Sequence, residues 1–175
     1  QTCVAPDYVL VPEDRVGGFV EAYRQAVQGF YPTLADNPDY TAIINERQLA
    51  RLNAYAKDAT DKGATLIPLY EQGQARRMVH SLLLNVSDDM TVMQDEIFGP
   101  LLPIVPYRGL DQAFAYITQR PRPLALYYFG YNKGEQARVL HETHSGGVCL
   151  NDTLLHVAQD DMPFGGIGPS GMGHY

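Results

Sequence analysis

The sequence predicts an α/β fold, in which a mostly parallel sheet is flanked by helices on both faces. Three observations favour this fold. The apolar pattern switches repeatedly between strand spacing and helix spacing, the expected strands are short and apolar, and helices separate most of them. Parallel strands need crossover connections of this kind, and helices then cover the sheet. The 175 residues are enough for one domain that buries roughly 70% of its unfolded surface.

The first part of the chain alternates strands and helices. The expected strands cover residues 8–11, 65–67, 79–86 and 101–105, and the expected helices cover residues 12–29 and 45–61, with a loop over residues 32–38. Gly63 is expected to stop the second helix. The prolines in and next to the strand over residues 101–105 favour an edge position or a bulge, because proline has no N–H to donate to a neighbouring strand.

The last third of the chain repeats this alternation. Expected helices over residues 110–119 and 134–143 alternate with expected strands over residues 124–129 and 147–150. The tail over residues 163–173 holds five glycines in eleven residues. We therefore expect a loop with unusual backbone angles or close backbone approach, and it does not resemble a phosphate-binding loop.

Composition and charge argue against several classes of protein. The formal net charge is −7 and no basic cluster interrupts it, which is unlike a nucleic-acid binder. No apolar run reaches the ~18 residues that a membrane span needs. The chain opens on Gln1 without Met or a signal sequence, so we expect a piece of a longer, cytoplasmic protein. Cys3 and Cys149 lack the spacing of a metal site, so no metal is expected.

Two segments contain candidate catalytic residues. Residues 1–7 (QTCVAPD) contain Cys3, a candidate nucleophile, although a lone cysteine is more often a buried small apolar residue. Residues 94–100 (QDEIFGP) contain Glu96 and Phe98. A carboxylate can accept both hydrogen bonds of a vicinal diol, and an aromatic side chain can hold a flat ring. Taken alone, this second segment is also typical of a helix end followed by a tight turn.

Two later segments are candidate walls of a site. They are residues 145–152 (SGGVCLND) and 163–171 (PFGGIGPSG). Phe164 is a candidate aromatic contact for a substrate, whereas Cys149 is expected to be a buried residue of a core strand. His156 lies between these segments and is a candidate for the substrate entrance, although a hydrogen-bonded histidine of the core or surface is the commoner role.

In this order along the chain, the four segments resemble those of the aldehyde dehydrogenase superfamily. The resemblance implies that Cys3 is the nucleophile and that Phe164 lines the substrate tunnel. It also implies that Glu96 binds the nicotinamide ribose and that Phe98 packs beside the nicotinamide ring. The implied reaction is the oxidation of an aldehyde by NAD or NADP through a thiohemiacetal and a thioester on Cys3, and the fold implied is the catalytic domain of that superfamily.

A finer resemblance concerns the substrate. Residues 31–40, 120–129 and 151–161 are similar to the coniferyl aldehyde dehydrogenases of the class 3-like branch. This resemblance implies that the full-length enzyme oxidises an aromatic aldehyde, such as coniferyl aldehyde, to ferulate. It also implies a homodimer or tetramer.

The resemblance covers residues 1–175 as a catalytic domain. In the family, the dinucleotide-binding domain lies upstream of this region, together with a general-base glutamate and an asparagine that completes the oxyanion hole. We therefore expect the chain to be inactive on its own.

Other functions stay open at this point. An aliphatic or CoA-acylating aldehyde dehydrogenase would carry the same motifs. A cysteine-dependent thioesterase or other acyl-transfer enzyme needs a histidine close to Cys3, whereas a dehydrogenase needs Glu96, Phe98 and Phe164 around it. A buried and unreactive Cys3 would favour a domain that acts only as an interaction module.

Overall fold

The structure is a computed structural model that describes residues 2–34 and 36–173. Gln1, Ala35, His174 and Tyr175 lie outside the described residues, so the motif over residues 1–7 is described from Thr2 onward. The described residues form two compact units, one of residues 6–108 and one of residues 2–5 together with 109–173. The assignment of residues 1–175 to a single domain stays a prediction.

The first unit contains a four-stranded sheet and two helices. Its elements are β1 (Val9–Pro12), α1 (Val16–Phe30), α2 (Glu46–Asp61), β2 (Thr65–Pro68), β3 (Ser81–Leu84) and β4 (Leu101–Tyr107). The strand order is β1-β4-β3-β2. β4 runs parallel to β1 and to β3, and β2 runs antiparallel to β3. The sheet is therefore mixed and mostly parallel, as the sequence predicts.

The two helices of this unit cover opposite faces of the sheet. Successive strand residues face opposite sides, so Leu82 and Leu83 of β3 belong to different faces. Leu82 lies in a buried cluster with Val27 of α1, and Leu83 lies in a second cluster with Leu52 of α2. The prediction of helices on both faces is confirmed for this unit.

Helix α2 begins and ends at local signals in the sequence. The Asn45 side chain accepts a hydrogen bond from the Gln48 N–H at 2.9 Å and caps the first turn. At the other end Gly63 has φ of 102°, in the left-handed region that glycine adopts without strain. Both signals lie within a few residues of the helix they bound, and the predicted span over residues 45–61 is confirmed.

The edge position predicted for β4 is wrong, because β4 is paired on both sides. Its two ladders are staggered: Leu101–Pro103 pair with β3, and Ile104–Tyr107 pair with β1. Each proline of β4 therefore has a paired strand on one side only. A proline tolerates such a position when its ring nitrogen faces the unpaired side.

The second unit contains a parallel strand pair and a glycine-rich hairpin. Its elements are α3 (Leu110–Thr118), β5 (Ala125–Tyr128), α4 (Lys133–Glu142), β6 (Gly147–Leu150), β7 (Ile167–Gly168) and β8 (Gly171–Met172). β5 and β6 are parallel, with α4 as the crossover between them. The tail predicted as a loop contains the short antiparallel pair β7 and β8.

Candidate active site

Cys3 lies on a tight turn in the second unit, and its side chain is exposed. The Ala5 N–H donates to the Thr2 carbonyl oxygen across 3.1 Å and closes this turn. The Val4 side chain is 8% exposed, and the Val4 carbonyl oxygen accepts a hydrogen bond from the Tyr127 hydroxyl at 2.7 Å. The turn is therefore fixed by two hydrogen bonds and one buried side chain, while the thiol stays open to a reactant.

Three aromatic side chains of the same unit stand in a row. The His156 ring lies between Tyr127 and Phe164, with its centroid 5.9 Å from that of each neighbour. A methyl group at position 147 would lie 2.6 Å from Cδ2 of His156, so the ring occupies space that the glycine at 147 leaves free. We call Tyr127, His156 and Phe164 the aromatic row.

His156 is buried and hydrogen-bonded on one edge of its ring only. It is 7% exposed, and its Nδ1 lies 3.3 Å from the Cys149 sulfur. Nε2 is buried without a hydrogen-bond partner. Burial lowers the pKa of His156 below its ordinary value, because the charged imidazolium loses hydration. His156 is therefore a neutral imidazole at neutral pH, with one nitrogen unused.

Cys149 differs from its prediction as a fully buried residue of a core strand. It is partly exposed on β6, and its sulfur contacts His156. The reason is the position of its strand: β6 pairs with β5 in a two-stranded sheet, and all four residues of β6 are partly exposed. Cys149 on this short apolar strand is therefore only partly buried.

An open cavity adjoins one end of the aromatic row. Its volume is about 420 Å³, and Leu124, Phe164 and Met172 line it together with glycines of the tail. The lining is mostly apolar, which suits an apolar or aromatic ligand better than a charged one. The role of Phe164 as a substrate contact stays a prediction.

Glu96 and Phe98 lie in the first unit, on a segment that α2 holds by its backbone. Arg51 of α2 donates to the carbonyl oxygen of Glu96 at 3.1 Å and to that of Ile97 at 2.5 Å. From the other side, the Asp7 carboxylate accepts a hydrogen bond from the Ile97 N–H at 2.9 Å. The Glu96 side chain is exposed, and so is 42% of Phe98. A fixed backbone therefore presents both side chains to solvent.

Two further features show how tightly this segment is built. Phe98 has φ of 52°, a conformation that bulky residues rarely adopt and that the surrounding contacts must maintain. A methyl group at Gly99 would lie 2.5 Å from both methyl carbons of Leu52, so only glycine allows this approach to α2.

Burial raises the pKa of Asp7, although its hydrogen bond to Ile97 opposes this rise.

The structure thus groups the predicted site residues in two sets. Cys3, His156 and Phe164 lie in the second unit, and Glu96 and Phe98 lie in the first. Within the described residues, His156 bonds to Cys149, and no histidine forms a hydrogen bond with Cys3.

Sequence reasoning did not identify three residues that organise these sets: Asp7, Arg51 and Tyr127. Each of them forms a hydrogen bond with the backbone beside a predicted site residue. The first and the last lie in segments that carry the family resemblance. Arg51 lies outside those segments. Its position beside the buried residues of α2 is the one sequence signal that could have indicated a structural role.

Over residues 2–34 and 36–173, no group of three or more His, Cys, Asp or Glu side chains is arranged to hold a metal ion. In the same described part of the chain, every helix is too short or too polar to cross a membrane.

Comparison with known proteins gives a family match over the whole chain. The family model described as "Aldehyde dehydrogenase family" matches residues 1–175. A probable coniferyl aldehyde dehydrogenase of Pseudomonas aeruginosa is 74% identical over 175 residues, which are 100% of this chain and 37% of that protein. The coniferyl aldehyde dehydrogenase of Pseudomonas sp. (strain HR199) is 48% identical over 181 residues, covering 100% of this chain and 38% of that protein. The chain therefore spans less than two fifths of these relatives.

Solved structures agree with this match. Staphylococcus aureus AldH in a substrate-bound state has a TM-score of 0.87 and 40% identity, over 100% of this chain and 38% of that one. A Bacillus halodurans glyceraldehyde-3-phosphate dehydrogenase complexed with NADP has a TM-score of 0.86 and 26% identity, over 99% and 36%. A Mycobacterium tuberculosis aldehyde dehydrogenase complexed with NAD+ has a TM-score of 0.82 and 25% identity, over 99% and 37%. Relatives with this fold thus bind either NAD or NADP.

Proposed function

The chain belongs to the aldehyde dehydrogenase family, and from this premise we propose that it is the catalytic domain of an enzyme that oxidises an aldehyde to a carboxylic acid with NAD(P)+. The intact enzyme also carries the dinucleotide-binding domain, is a cytoplasmic homodimer or tetramer, and takes an aromatic aldehyde such as coniferyl aldehyde to ferulate. Water is also consumed, and NAD(P)H and a proton are the other products. The isolated chain is inactive.

The observation that carries this proposal is the exposed thiol on a fixed turn. In the reaction, the Cys3 sulfur attacks the aldehyde carbon, the S–C bond forms, and the carbonyl oxygen takes up the electron pair. The Cys3 backbone N–H helps to stabilise this oxyanion. The hydride then leaves as the C=O bond forms again, which gives a thioester on Cys3. Water hydrolyses the thioester, releases the acid and restores the thiol.

The segment that carries Glu96 and Phe98 fits the cofactor, because both side chains are exposed on a backbone that Arg51 and Asp7 hold. The Glu96 carboxylate accepts hydrogen bonds from the ribose hydroxyls, and the Phe98 ring packs beside the nicotinamide. Bound NAD(P)+ supplies the hydride acceptor. These residues contact the part of the cofactor that NAD and NADP share, so they suit both.

The aromatic row supports an aromatic substrate. Phe164 forms part of an apolar cavity wall, and His156 packs against it with an unused ring nitrogen. Flat rings stack well on such a surface. The two relatives named for coniferyl aldehyde, at 74% and 48% identity, point to the same substrate class.

The test is NAD(P)H formation by the intact enzyme with coniferyl aldehyde, compared with Cys3→Ala and Cys149→Ala variants. We expect Cys3→Ala to abolish turnover. We expect Cys149→Ala to retain turnover, with a changed KM for coniferyl aldehyde. Full activity of Cys3→Ala would overturn the assignment of the nucleophile. An aliphatic aldehyde and added CoA are tested in parallel. Faster turnover of the aliphatic aldehyde, or formation of an acyl-CoA, would favour the aliphatic or CoA-acylating alternative.

A further inference from the structure

The Tyr127 hydroxyl bonds to the backbone of the Cys3 turn. It donates to the Val4 carbonyl oxygen at 2.7 Å, one residue after the nucleophile proposed above. The turn covers residues 2–5 and has one internal hydrogen bond, from the Ala5 N–H to the Thr2 carbonyl oxygen. A short turn with one bond has several competing conformations, so a second bond from a strand restricts it strongly.

Tyr127 is well suited to hold this carbonyl. It lies on β5, a regular strand whose partner β6 pairs Tyr127 with Cys149. Burial raises the pKa of Tyr127. A hydrogen bond with the Leu154 backbone opposes this rise, and charge on the two cysteine sulfurs would add to it. The phenol therefore keeps its proton and stays a donor over the working range of pH. Its ring also packs on His156, in the aromatic row.

We propose that Tyr127 is a positioning residue that fixes the orientation of Cys3 toward the aldehyde. The inference rests on the proposed role of Cys3. The hydroxyl of Tyr127 restricts the turn, and the ring of Tyr127 forms part of the surface that continues to His156 and Phe164. One residue thus sets the position of the nucleophile relative to the wall that receives the substrate. Small errors in such positions are costly to a reaction that needs a defined angle of attack.

The next residue of β5 provides a matched control. Tyr128 faces the other side of the strand, where its hydroxyl donates to the Glu135 carboxylate at 2.6 Å. Tyr127→Phe and Tyr128→Phe therefore remove the same atom from adjacent residues of one strand: the first removes the hydrogen bond to Val4, and the second removes the hydrogen bond to Glu135. Replacing Tyr127 by p-aminophenylalanine keeps a donor at the same place and serves as the rescue variant.

The experiment measures three quantities in the intact enzyme. They are the rate of the first NAD(P)H burst with coniferyl aldehyde, the rate of Cys3 alkylation by iodoacetamide, and the hydrogen exchange of the turn amides. For Tyr127→Phe we expect the burst to slow and the exchange of the Ala5 amide to quicken, each about three- to tenfold, the factor that one hydrogen bond represents. Alkylation changes less than twofold, because a small reagent attacks an exposed thiol from many directions. Tyr128→Phe matches the wild type, and p-aminophenylalanine restores the burst.

Several outcomes would overturn the proposal. They are an unchanged burst and unchanged exchange in Tyr127→Phe, an equal effect of both phenylalanine variants, or a loss of alkylation as large as the loss of the burst. If Tyr127→Phe does not fold, p-fluorophenylalanine at position 127, which fills the space of the hydroxyl without a donor, is compared with p-aminophenylalanine. Full turnover by Cys3→Ala would refute the proposed function, whereas hydrogen exchange at the turn would still decide the role of Tyr127.

Discussion

The guanidinium of Arg51 donates to the backbone carbonyl oxygen of Ile97 across 2.5 Å, so helix α2 holds the segment that presents Glu96 and Phe98. The Arg51 side chain is itself oriented, since its Nε donates to the Gln48 side chain at 2.7 Å. The guanidinium, fixed on helix α2, thus holds the backbone of the proposed cofactor-binding segment by hydrogen bonds. This arrangement leads to a prediction about cofactor affinity.

We predict that Arg51→Gln raises the KM for the nicotinamide cofactor about tenfold, since hydrogen bonds from a charged donor are lost. The rate of Cys3 alkylation is expected to stay the same, because the affected backbone carries only the proposed cofactor contacts. The measurement is initial rates of the intact enzyme against NAD+ and NADP+. Arg47→Gln, at an exposed position of the same helix, is the matched control. An unchanged KM in Arg51→Gln would show that the segment holds its shape without this cation.

The pH dependence of stability gives a second prediction, through a partly buried pair in the first unit. The Tyr23 hydroxyl lies 2.7 Å from Nε2 of His80. Burial lowers the pKa of His80 to about 4, because the imidazolium would lose its hydration. The unfolded chain takes up this proton near pH 6.5, so between pH 6.5 and about 4 it binds more protons than the folded chain. Stability that is present above pH 6.5 is therefore lost as the pH falls through this window.

The expected loss is about 3 kcal/mol in the free energy of unfolding, as an upper limit for this one group. Chemical denaturation of the intact enzyme at several pH values between 4 and 7.5 measures it. His80→Gln removes the titrating group and should flatten this part of the profile, whereas His141→Gln, at an exposed position, should leave it unchanged. The same slope in wild type and His80→Gln would assign the acid sensitivity to other groups.

How much of this molecule was predictable depends on how local each signal is. Helix α2 was predicted almost to the residue, because Asn45 and Gly63 act on adjacent backbone. The central position of β4 was not predicted. It depends on β1 and β3, which are distant from each other in the chain and pair with different parts of β4. Local chemistry is visible in a sequence, whereas a pairing between distant strands has no residue-type signature.

The candidate site shows the same division. Cys3, Glu96 and Phe98 are recognisable because their chemistry requires particular residue types in a motif. Arg51 and Tyr127 bond to backbone carbonyl oxygens, which every residue offers, so the sequence of the acceptor says nothing about its donor. The contact between Cys149 and His156 was also missed, since it arises from the geometry of a half-covered strand and a following helical turn.

That contact predicts the tautomer of His156. A thiol donates and a neutral imidazole nitrogen accepts, so Cys149 should donate to Nδ1 and leave the hydrogen of the ring on Nε2. Because burial lowers the pKa of His156, the ring should also take up its second proton at a lower pH than a free histidine does. Two-dimensional 1H–15N spectra of histidine-labelled enzyme distinguish both tautomers and the charged form.

Variants at position 149 separate the hydrogen bond from the bulk of the side chain. Cys149→Ser keeps a donor and should preserve the Nε2–H tautomer, whereas Cys149→Ala should yield a mixture of both tautomers. The signal of His156 is assigned by its loss in His156→Gln. A midpoint for charging of the His156 ring at or above that of a free histidine, or the Nδ1–H form in the wild type, would contradict the prediction.

The last prediction concerns the glycine that makes room for the aromatic row. In Gly147→Ala, the new methyl group would lie 2.6 Å from Cδ2 of His156, and His156 is buried between two rings. The ring must therefore shift, at a cost of about 1–3 kcal/mol in stability. Because the row is the proposed substrate wall, we expect the KM for coniferyl aldehyde to rise and the KM for the cofactor to stay unchanged. Gly134→Ala, in helix α4, brings its methyl group no closer than 3.3 Å to the Asn132 side chain and serves as the control. Equal KM values for coniferyl aldehyde in the two variants would show that the aromatic row does not contribute to substrate binding.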